Sequence, residues 1–216
     1  KEIQKSLYIK INTAKTSRML QPNELASNGL HHGAFRYEKG DIILKPESAI
    51  QNDVSIIYER KRWLVESSVY ANYFFNFVYL APSNVFARLE VNNDIYPYPE
   101  AGQLYAYTQA PARHYGFETR LEYKILSDLV FSLTSEYTEI LNLSLQEYAP
   151  FIPPLSVKSS VEYIHEPIKK WMEELHAEIN FAYFSQQKRV PRNDVPTDSY
   201  NLINTNVALY LKNGIE

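Results

Sequence analysis

No cysteine occurs among the 216 residues. That excludes a disulfide framework and a thiolate metal site, and says little about compartment, because many secreted proteins lack bridges. Neither sign of charge dominates: 22 Lys and Arg stand against 25 Asp and Glu, a net charge of -3. The balance does not single out nucleic acid, which is not among the expected partners. A run of about 18 apolar residues is also missing, so no helix is expected to span a membrane. The mean hydropathy of -0.37 would pass for a soluble protein. Transmembrane strands escape that test, since only every second residue in them is apolar. No Gly-rich phosphate loop follows a strand and no spaced Ser, His, Asp set suggests a nucleophile. The expectation is therefore no enzyme and no cofactor. The chain starts at Lys1 without an initiator Met or signal peptide, and the expectation is a piece of a longer protein.

What the sequence has is aromatic and alternating: 14% of it is aromatic, including 18 tyrosines. In "GFETRLEYKI", Phe117, Thr119, Leu121, Tyr123 and Ile125 point one way, while Glu118, Arg120, Glu122 and Lys124 point the other. A period of two means a strand with one face to bury, against a core or against lipid. The same reading predicts eight strands at about 3–15, 48–59, 62–80, 103–125, 128–139, 155–165, 170–185 and 199–212. In the third, Val65, Ser67, Val69, Ala71, Tyr73, Phe75, Phe77 and Tyr79 are expected on one face. "IKKWMEELHAEINFAYF" is ambiguous, with Ile168, Trp171, Met172, Leu175 and Ile179 at helical spacing but Leu175, Ala177, Ile179, Phe181 and Tyr183 alternating. A strand is expected there because every neighbour is one.

The connections alternate in length. "ERKR", "LSD" and "HEPIKK" are tight turns, whereas "SRMLQPNELASNGLHHGAFRYEKGDIILKPE", "APSNVFARLEVNNDIYPYPEAG", "LNLSLQEYAPFIPP" and "QQKRVPRNDVPTDS" are long. In an up-and-down sheet this puts all tight turns at one end and all long loops at the other. Outer-membrane barrels have that asymmetry; a lipocalin-like barrel with elaborated ends could mimic it. Several segments exceed the ~9–11 tilted residues a bilayer needs. "YAYT" and "VYANYFF" fit interfacial aromatic girdles, although plain β-propensity also enriches these residues.

Arg18, Pro22, Glu24 and Leu25 follow an Arg-x-x-x-Pro-x-x-Glu-Leu-like pattern. Gly40, Asp41, Leu44, Lys45, Pro46 and Glu47 match a Gly-Asp/Asn…Leu-Lys-Pro-Glu segment. Gln109, Ala112, Gly116 and Glu118 are similar to a Gln-x-x-Ala-x-x-x-Gly-x-Glu strand, and "FIPPLSVKSSVEY" to a Pro-Pro strand opening. In these stretches, from about Thr16 to Tyr210, the chain resembles the TonB-dependent outer-membrane receptors. The resemblance implies an all-β fold, an antiparallel up-and-down transmembrane β-barrel segment of about eight strands from a larger barrel of roughly 22. Residues 1–216 would form part of that barrel, late in the family's order, without the plug domain or the last strands. The implied setting is the bacterial outer membrane. The implied partners are lipid, the remaining barrel and plug polypeptide, TonB acting through the plug, and a small-molecule or metal-chelate ligand such as a siderophore, haem, cobalamin or a metal ion. The competing class is a β-rich surface binding or assembly module without transport.

Candidate ligand-binding residues are His31, His32, Arg36 and Glu38, with Asp41 close by in the longest loop. Imidazole with carboxylate suits a metal or its chelate, although adjacent His side chains on a strand point oppositely. The plain alternative is a polar loop satisfied by its neighbours. That alternative is stronger for the isolated His114, His165 and His176. "NLS" at Asn142 matches a glycosylation acceptor too short to carry weight.

Overall fold

The computed structural model describes residues 6–86, 88–91, 94–97, 103–165, 172–192 and 194–211. The alternating segments form strands: β1 (Leu7–Arg18), β4 (Glu47–Arg60), β5 (Trp63–Phe86), β8 (Gln103–Lys124), β9 (Leu129–Asn142), β11 (Ser156–His165), β12 (Met172–Phe184) and β13 (Tyr200–Leu211). The long connections add a short helix α1 (Pro22–Ala26), β2 (Asn28–His31), β3 (Arg36–Lys39), a β6–β7 hairpin (Arg88–Val91, Asp94–Pro97) and β10 (Glu147–Tyr148). The eight long strands lie in chain order, β1-β4-β5-β8-β9-β11-β12-β13, each antiparallel to the next. β1 and β13 are the two edges of this path among the described residues. The ambiguous segment is strand β12, paired on both sides with β11 and β13. Cross-strand pairing outweighs the helix propensity of its Glu and Ala residues.

Antiparallel order segregates the connections as expected. Lys61 and Arg62 turn β4 into β5, with Lys61 at φ 48°, and residues 125–128 turn β8 into β9. From Glu166 onward, the turn read in "HEPIKK" lies outside the described residues. The long connections meet at the opposite end. There Asn23 Nδ2 donates to the Tyr107 hydroxyl at 2.9 Å and Gln187 Nε2 to the Ile152 carbonyl at 2.8 Å.

The register sorts side chains onto two unlike faces. One carries Ile9, Ile11, Val54, Ile56, Val65, Val69, Phe117, Leu121, Leu133, Val161, Ile179, Phe181, Ile203 and Val207 in continuous cross-strand rows. No second layer covers it among the described residues: Ile11, Ile203 and Val207 are 72%, 72% and 71% exposed. Exposed apolar area on that scale needs a non-aqueous neighbour. Two hydroxyls on it, Ser67 and Thr119, satisfy each other at 3.0 Å. Trp63, Tyr123 and Phe131 form an aromatic row beside the tight turns, and Tyr73, Tyr115 and Tyr137 lie on a diagonal across β5, β8 and β9 toward the long loops. The eight residue steps from Tyr123 to Tyr115, tilted by about 40°, rise about 20 Å, close to the height of an outer-membrane apolar band.

The opposite face is polar. Lys10, Ser55, Glu66, Glu118, Arg120 and Glu136 line a cavity of about 540 Å³ upon it. Arg120 lies 4.0 Å from Glu66 and is hydrogen-bonded to Glu122, while Lys158 meets Glu136 at 3.3 Å. Phe77 and Tyr79 depart from expectation. The register slips between Phe74 and Phe77, where two residues of β5, Phe75 and Asn76, oppose one of β8, Pro111, and such a bulge reverses every later side chain. Phe77 therefore joins Phe74, ring centroids 5.2 Å apart, beside the small buried cluster of Ala49, Ala112, Ile140 and Ala149 at the long-loop end. Gly116 sits under Tyr70, its cross-strand partner; a Cβ there would overlap the Tyr70 ring and the Tyr137 carbonyl.

Arginine at the midplane of a lipid-facing strand costs about 2–4 kcal/mol. Leu121→Arg, between the midplane and the lower aromatic row, should therefore impair assembly in a membrane-insertion assay, while Arg120→Leu, one residue away on the polar face, should insert normally. Equal tolerance of the two would contradict this orientation.

Candidate functional site at the long-loop end

The 19–46 connection is held down by the residues its motif supplies. Pro22, with φ already set, opens α1. The Glu24 carboxylate, 7% exposed, accepts from the Gln21 N–H at 2.7 Å and from Arg18 at 3.0 Å. Arg18 also reaches Glu47 at 3.4 Å, and Glu47 accepts the backbone N–H of Val78 at 2.9 Å. One guanidinium thus ties the helix to the start of β4 and, through Glu47, to β5. Arg18 lies on the loop side of the upper aromatic residues, and its hydrogen bond to Glu24, aided by Glu47, pushes its pKa up against the opposing effect of burial.

The segment returns through Gly40, whose N–H donates to Ser27 at 2.7 Å. A Cβ there would lie 2.6 Å from the Ala26 nitrogen, so only glycine fits. Gln109 then grips Lys45 by both backbone groups, at 2.9 and 2.6 Å, and Asn76 Nδ2 donates to the Pro46 carbonyl at 2.6 Å. Arg18, Glu24, Gly40, the consecutive Lys45, Pro46 and Glu47, and the distant Gln109 form one clamp.

Above the clamp stands the β2–β3 hairpin, whose β3 pairs in parallel with the start of β8, Glu38 opposite Tyr105. Arg36 and Glu38 are brought together: Nε donates to Oε1 at 2.8 Å. The guanidinium lies over Phe151 and Tyr105, 4.8 and 5.2 Å from their ring centroids. Glu38 is buried. His31 is turned back on its own chain, Nδ1 accepting the Ala34 N–H at 3.1 Å. That bond keeps the ring proton on Nε2 in neutral His31. His32 is exposed at the tip, in a single 3-10 turn of His32–Ala34. Asp41 Oδ1 accepts the Ile43 N–H at 3.0 Å. Among the described residues no three His, Asp or Glu side chains gather as a metal site.

The remaining histidines have partners. His114 bridges Asn72 and Thr138 at 3.2 and 2.9 Å, His165 faces Asp128 at 3.4 Å, and His176 is hydrogen-bonded to Glu174. Asn142 is 4% exposed; its side chain caps the turn at Ser144 and Leu145 and donates to Tyr79 at 2.6 Å. A glycan has no access to it.

Sequence reasoning missed one network. Glu139, 7% exposed, accepts from the hydroxyls of Tyr137, at 2.5 Å, and Tyr115. Arg189 lies 3.4 Å from it and 4.5 Å from the Tyr137 ring centroid, so the 185–199 connection is tied to β9. The readable signal was a lone carboxylate in register with Phe131, Leu133 and Tyr137.

Glu47→Ala leaves the Val78 N–H without its acceptor and Arg18 with Glu24 alone, and losing hydrogen bonds to a charged group costs about 1.5–3 kcal/mol. Limited proteolysis should then cut the 19–46 connection faster, with Glu47→Gln intermediate. His32→Ala should leave the digestion pattern unchanged. Digestion of both Glu47 variants at the wild-type rate would show that the clamp does not hold the loop.

The family described as TonB dependent receptor-like, beta-barrel matches residues 4–213. Among solved structures, a copper transporter, OprC, superposes with a TM-score of 0.69 at 18% identity, covering 93% of this chain and 28% of its own. The siderophore receptor PirA of Acinetobacter baumannii gives 0.62 at 13% identity, covering 95% and 33%. The ferric enterobactin receptor PfeA of Pseudomonas aeruginosa, as a mutant in complex with enterobactin, gives 0.67 at 13%, covering 99% and 32%. The chain thus spans about a third of the length of these structures. Comparison with curated proteins gave no match. The family match runs from before β1 to beyond β13, and the chain belongs to the TonB-dependent receptor-like β-barrel family.

Proposed function

We propose that this chain is part of the wall of a bacterial outer-membrane receptor that binds a scarce nutrient and imports it with energy delivered by TonB through a plug domain. The observation that carries the reading is the two-faced sheet. An uncovered apolar band flanked at both ends by aromatic residues backs onto a polar face, and the long connections all lie at one end. Family membership supports the transport role. The ligand class is that of a siderophore, haem, cobalamin or metal ion, in keeping with the copper and siderophore names of the structural neighbours.

Ligand capture is assigned to the long-loop end. His31 and His32 would present imidazole near the hairpin tip, while Arg36 and Glu38, held against Phe151 and Tyr105, would set the base of the hairpin and answer charge on a chelate. The edges of β1 and β13 must meet further strands. In lipid each unpaired backbone group costs several kcal/mol, so the sheet is completed by more of the same protein or by a second chain.

The test is binding and uptake by the protein as its cell makes it, with a ferric siderophore, haem, cobalamin and cupric ion each supplied as a radiolabel. One of them should bind intact cells and enter them, and dissipating the proton gradient should stop entry but not binding. Replacing His31 and His32 together by Ala should weaken binding about tenfold or more without lowering the amount of receptor. A purified protein that stays monodisperse without detergent would instead support a surface binding or assembly module.

A further inference from the structure

Asn28 opens β2 and is followed by Gly29. In an Asn-Gly pair the backbone nitrogen of the second residue can close on the side-chain amide of the first, because no Cβ hinders the approach. The sequence holds two such pairs, and the other, Asn213-Gly214, lies outside the described residues. Asn28 is exposed, and nothing lies within 4 Å of where a Cβ on Gly29 would stand. Water and hydroxide therefore reach the pair, and the ring that would form there meets no neighbour.

Two contacts restrain it while the hairpin is shut. The Tyr37 hydroxyl donates to Asn28 Oδ1 at 3.0 Å. The Gly40 N–H donates to the Ser27 carbonyl at 2.7 Å, and the alternation of an antiparallel ladder makes Gly29 and Glu38 the next hydrogen-bonded pair. The Gly29 nitrogen is thus engaged until β2 parts from β3. That opening is local: β2 has no second neighbour among the described residues and meets β3 through four residue pairs. An edge hairpin of this size opens far more often than the sheet beneath it unfolds.

We propose that Asn28 is a site of spontaneous deamidation, an ageing step built into the hairpin that carries His31, His32, Arg36 and Glu38. In the parted hairpin the Gly29 nitrogen gives up its proton to hydroxide and attacks Asn28 Cγ. A C–N bond forms, a cyclic imide closes, and Nδ2 takes up a proton and leaves as ammonia. Water then adds to one of the two ring carbonyls and breaks one bond to the Gly29 nitrogen. Breaking the bond to Cγ leaves aspartate; breaking the bond to the main-chain carbonyl carbon leaves isoaspartate, with the chain now running through Cγ. The net change is one water consumed and one ammonia released, with no oxidation or reduction. Either product places a carboxylate opposite Lys39, which is exposed and has no ion pair among the described residues. Isoaspartate also adds a methylene to the main chain, so Leu30 and His31 no longer meet Tyr37 and Arg36 in register. The effect on nutrient capture rests on the function proposed above; the chemistry at Asn28 does not.

The experiment is peptide mapping by mass spectrometry of the protein as its cell makes it, purified and then aged in warm, mildly alkaline buffer. The peptide holding Asn28 and Gly29 should gain about one dalton, the change from amide to acid, and should split by chromatography into an aspartate and an isoaspartate form. Gly29→Ala, for which the structure has room, should slow the gain about tenfold or more. Tyr37→Phe removes one restraint on the shut hairpin and should speed it about two- to tenfold, the effect of one neutral hydrogen bond. No mass gain at Asn28, an equal rate in Gly29→Ala, or aspartate as the sole product would overturn the site, and an unchanged rate in Tyr37→Phe would overturn its control by hairpin opening. Fresh and aged receptor are then compared for binding of the radiolabelled ferric siderophore, haem, cobalamin and cupric ion, and the aged protein should bind its nutrient severalfold more weakly. Equal binding by the two overturns the ageing role alone, whereas a fresh receptor that binds none of the four overturns the proposed function and leaves the modified residue standing.

Discussion

Every long strand here must have its N–H and C=O groups answered by a neighbouring strand, because the apolar face has nothing else to offer them. A hydrocarbon surrounding cannot hydrogen-bond, so the backbone is satisfied inside the sheet or at a cost of several kcal/mol per group. That constraint fixes the antiparallel order β1-β4-β5-β8-β9-β11-β12-β13 and the strict period of two. With one face in lipid, a slip of one residue would drive Glu118, Arg120 and Glu122 into hydrocarbon. The register is consequently specified far more strongly than in a sheet polar on both sides.

Where lipid ends, the constraint relaxes and irregularity begins. The bulge between Phe74 and Phe77 stands on the loop side of the upper aromatic residues. Beyond it Phe77 and Tyr79 turn to the polar face, and Tyr79 meets Asn142 at 2.6 Å. The same region admits a parallel pairing, β3 with β8, and a carboxylate, Glu139, on what is lower down the lipid-facing parity. Its charge is tolerable because Arg189 and two tyrosine hydroxyls answer it at a level where water and headgroups are close.

These regimes explain what could be read from residues alone. The eight strands and the segregation of loop lengths were legible because lipid and lumen impose a period of two over long stretches, as in the alternation from Phe117 to Tyr123. Even "MEELHAEINFAYF" obeyed it against its helix propensity. The direction of Phe77 was not legible, since a bulge leaves no mark in composition. Nor was the partner of Glu139, because Arg189 is fifty residues away in a connection with no periodicity. At the candidate site the residue types were visible but their division of labour was not. Arg36 and Glu38 compensate each other, and His31 bonds to its own turn.

The clamp gives the motif residues a physical role that their resemblance alone could not. Glu24 and Glu47 are buried carboxylates that share one half-exposed guanidinium, so loss of Arg18 would strand both of them. Gly40 fits because of space, and Gln109 and Asn76 hold Lys45 and Pro46 by backbone atoms, which makes those contacts indifferent to the side chains of the intervening loop. A long connection fastened at its base in this way can vary at its tip without disturbing the sheet below. The exposed His32 and the left-handed Phe35 at φ 49° stand at that free end, separated from the lipid band by a layer of ion pairs and aromatic rings. Stability is concentrated in the base, and chemistry can change above it at little cost to the barrel wall.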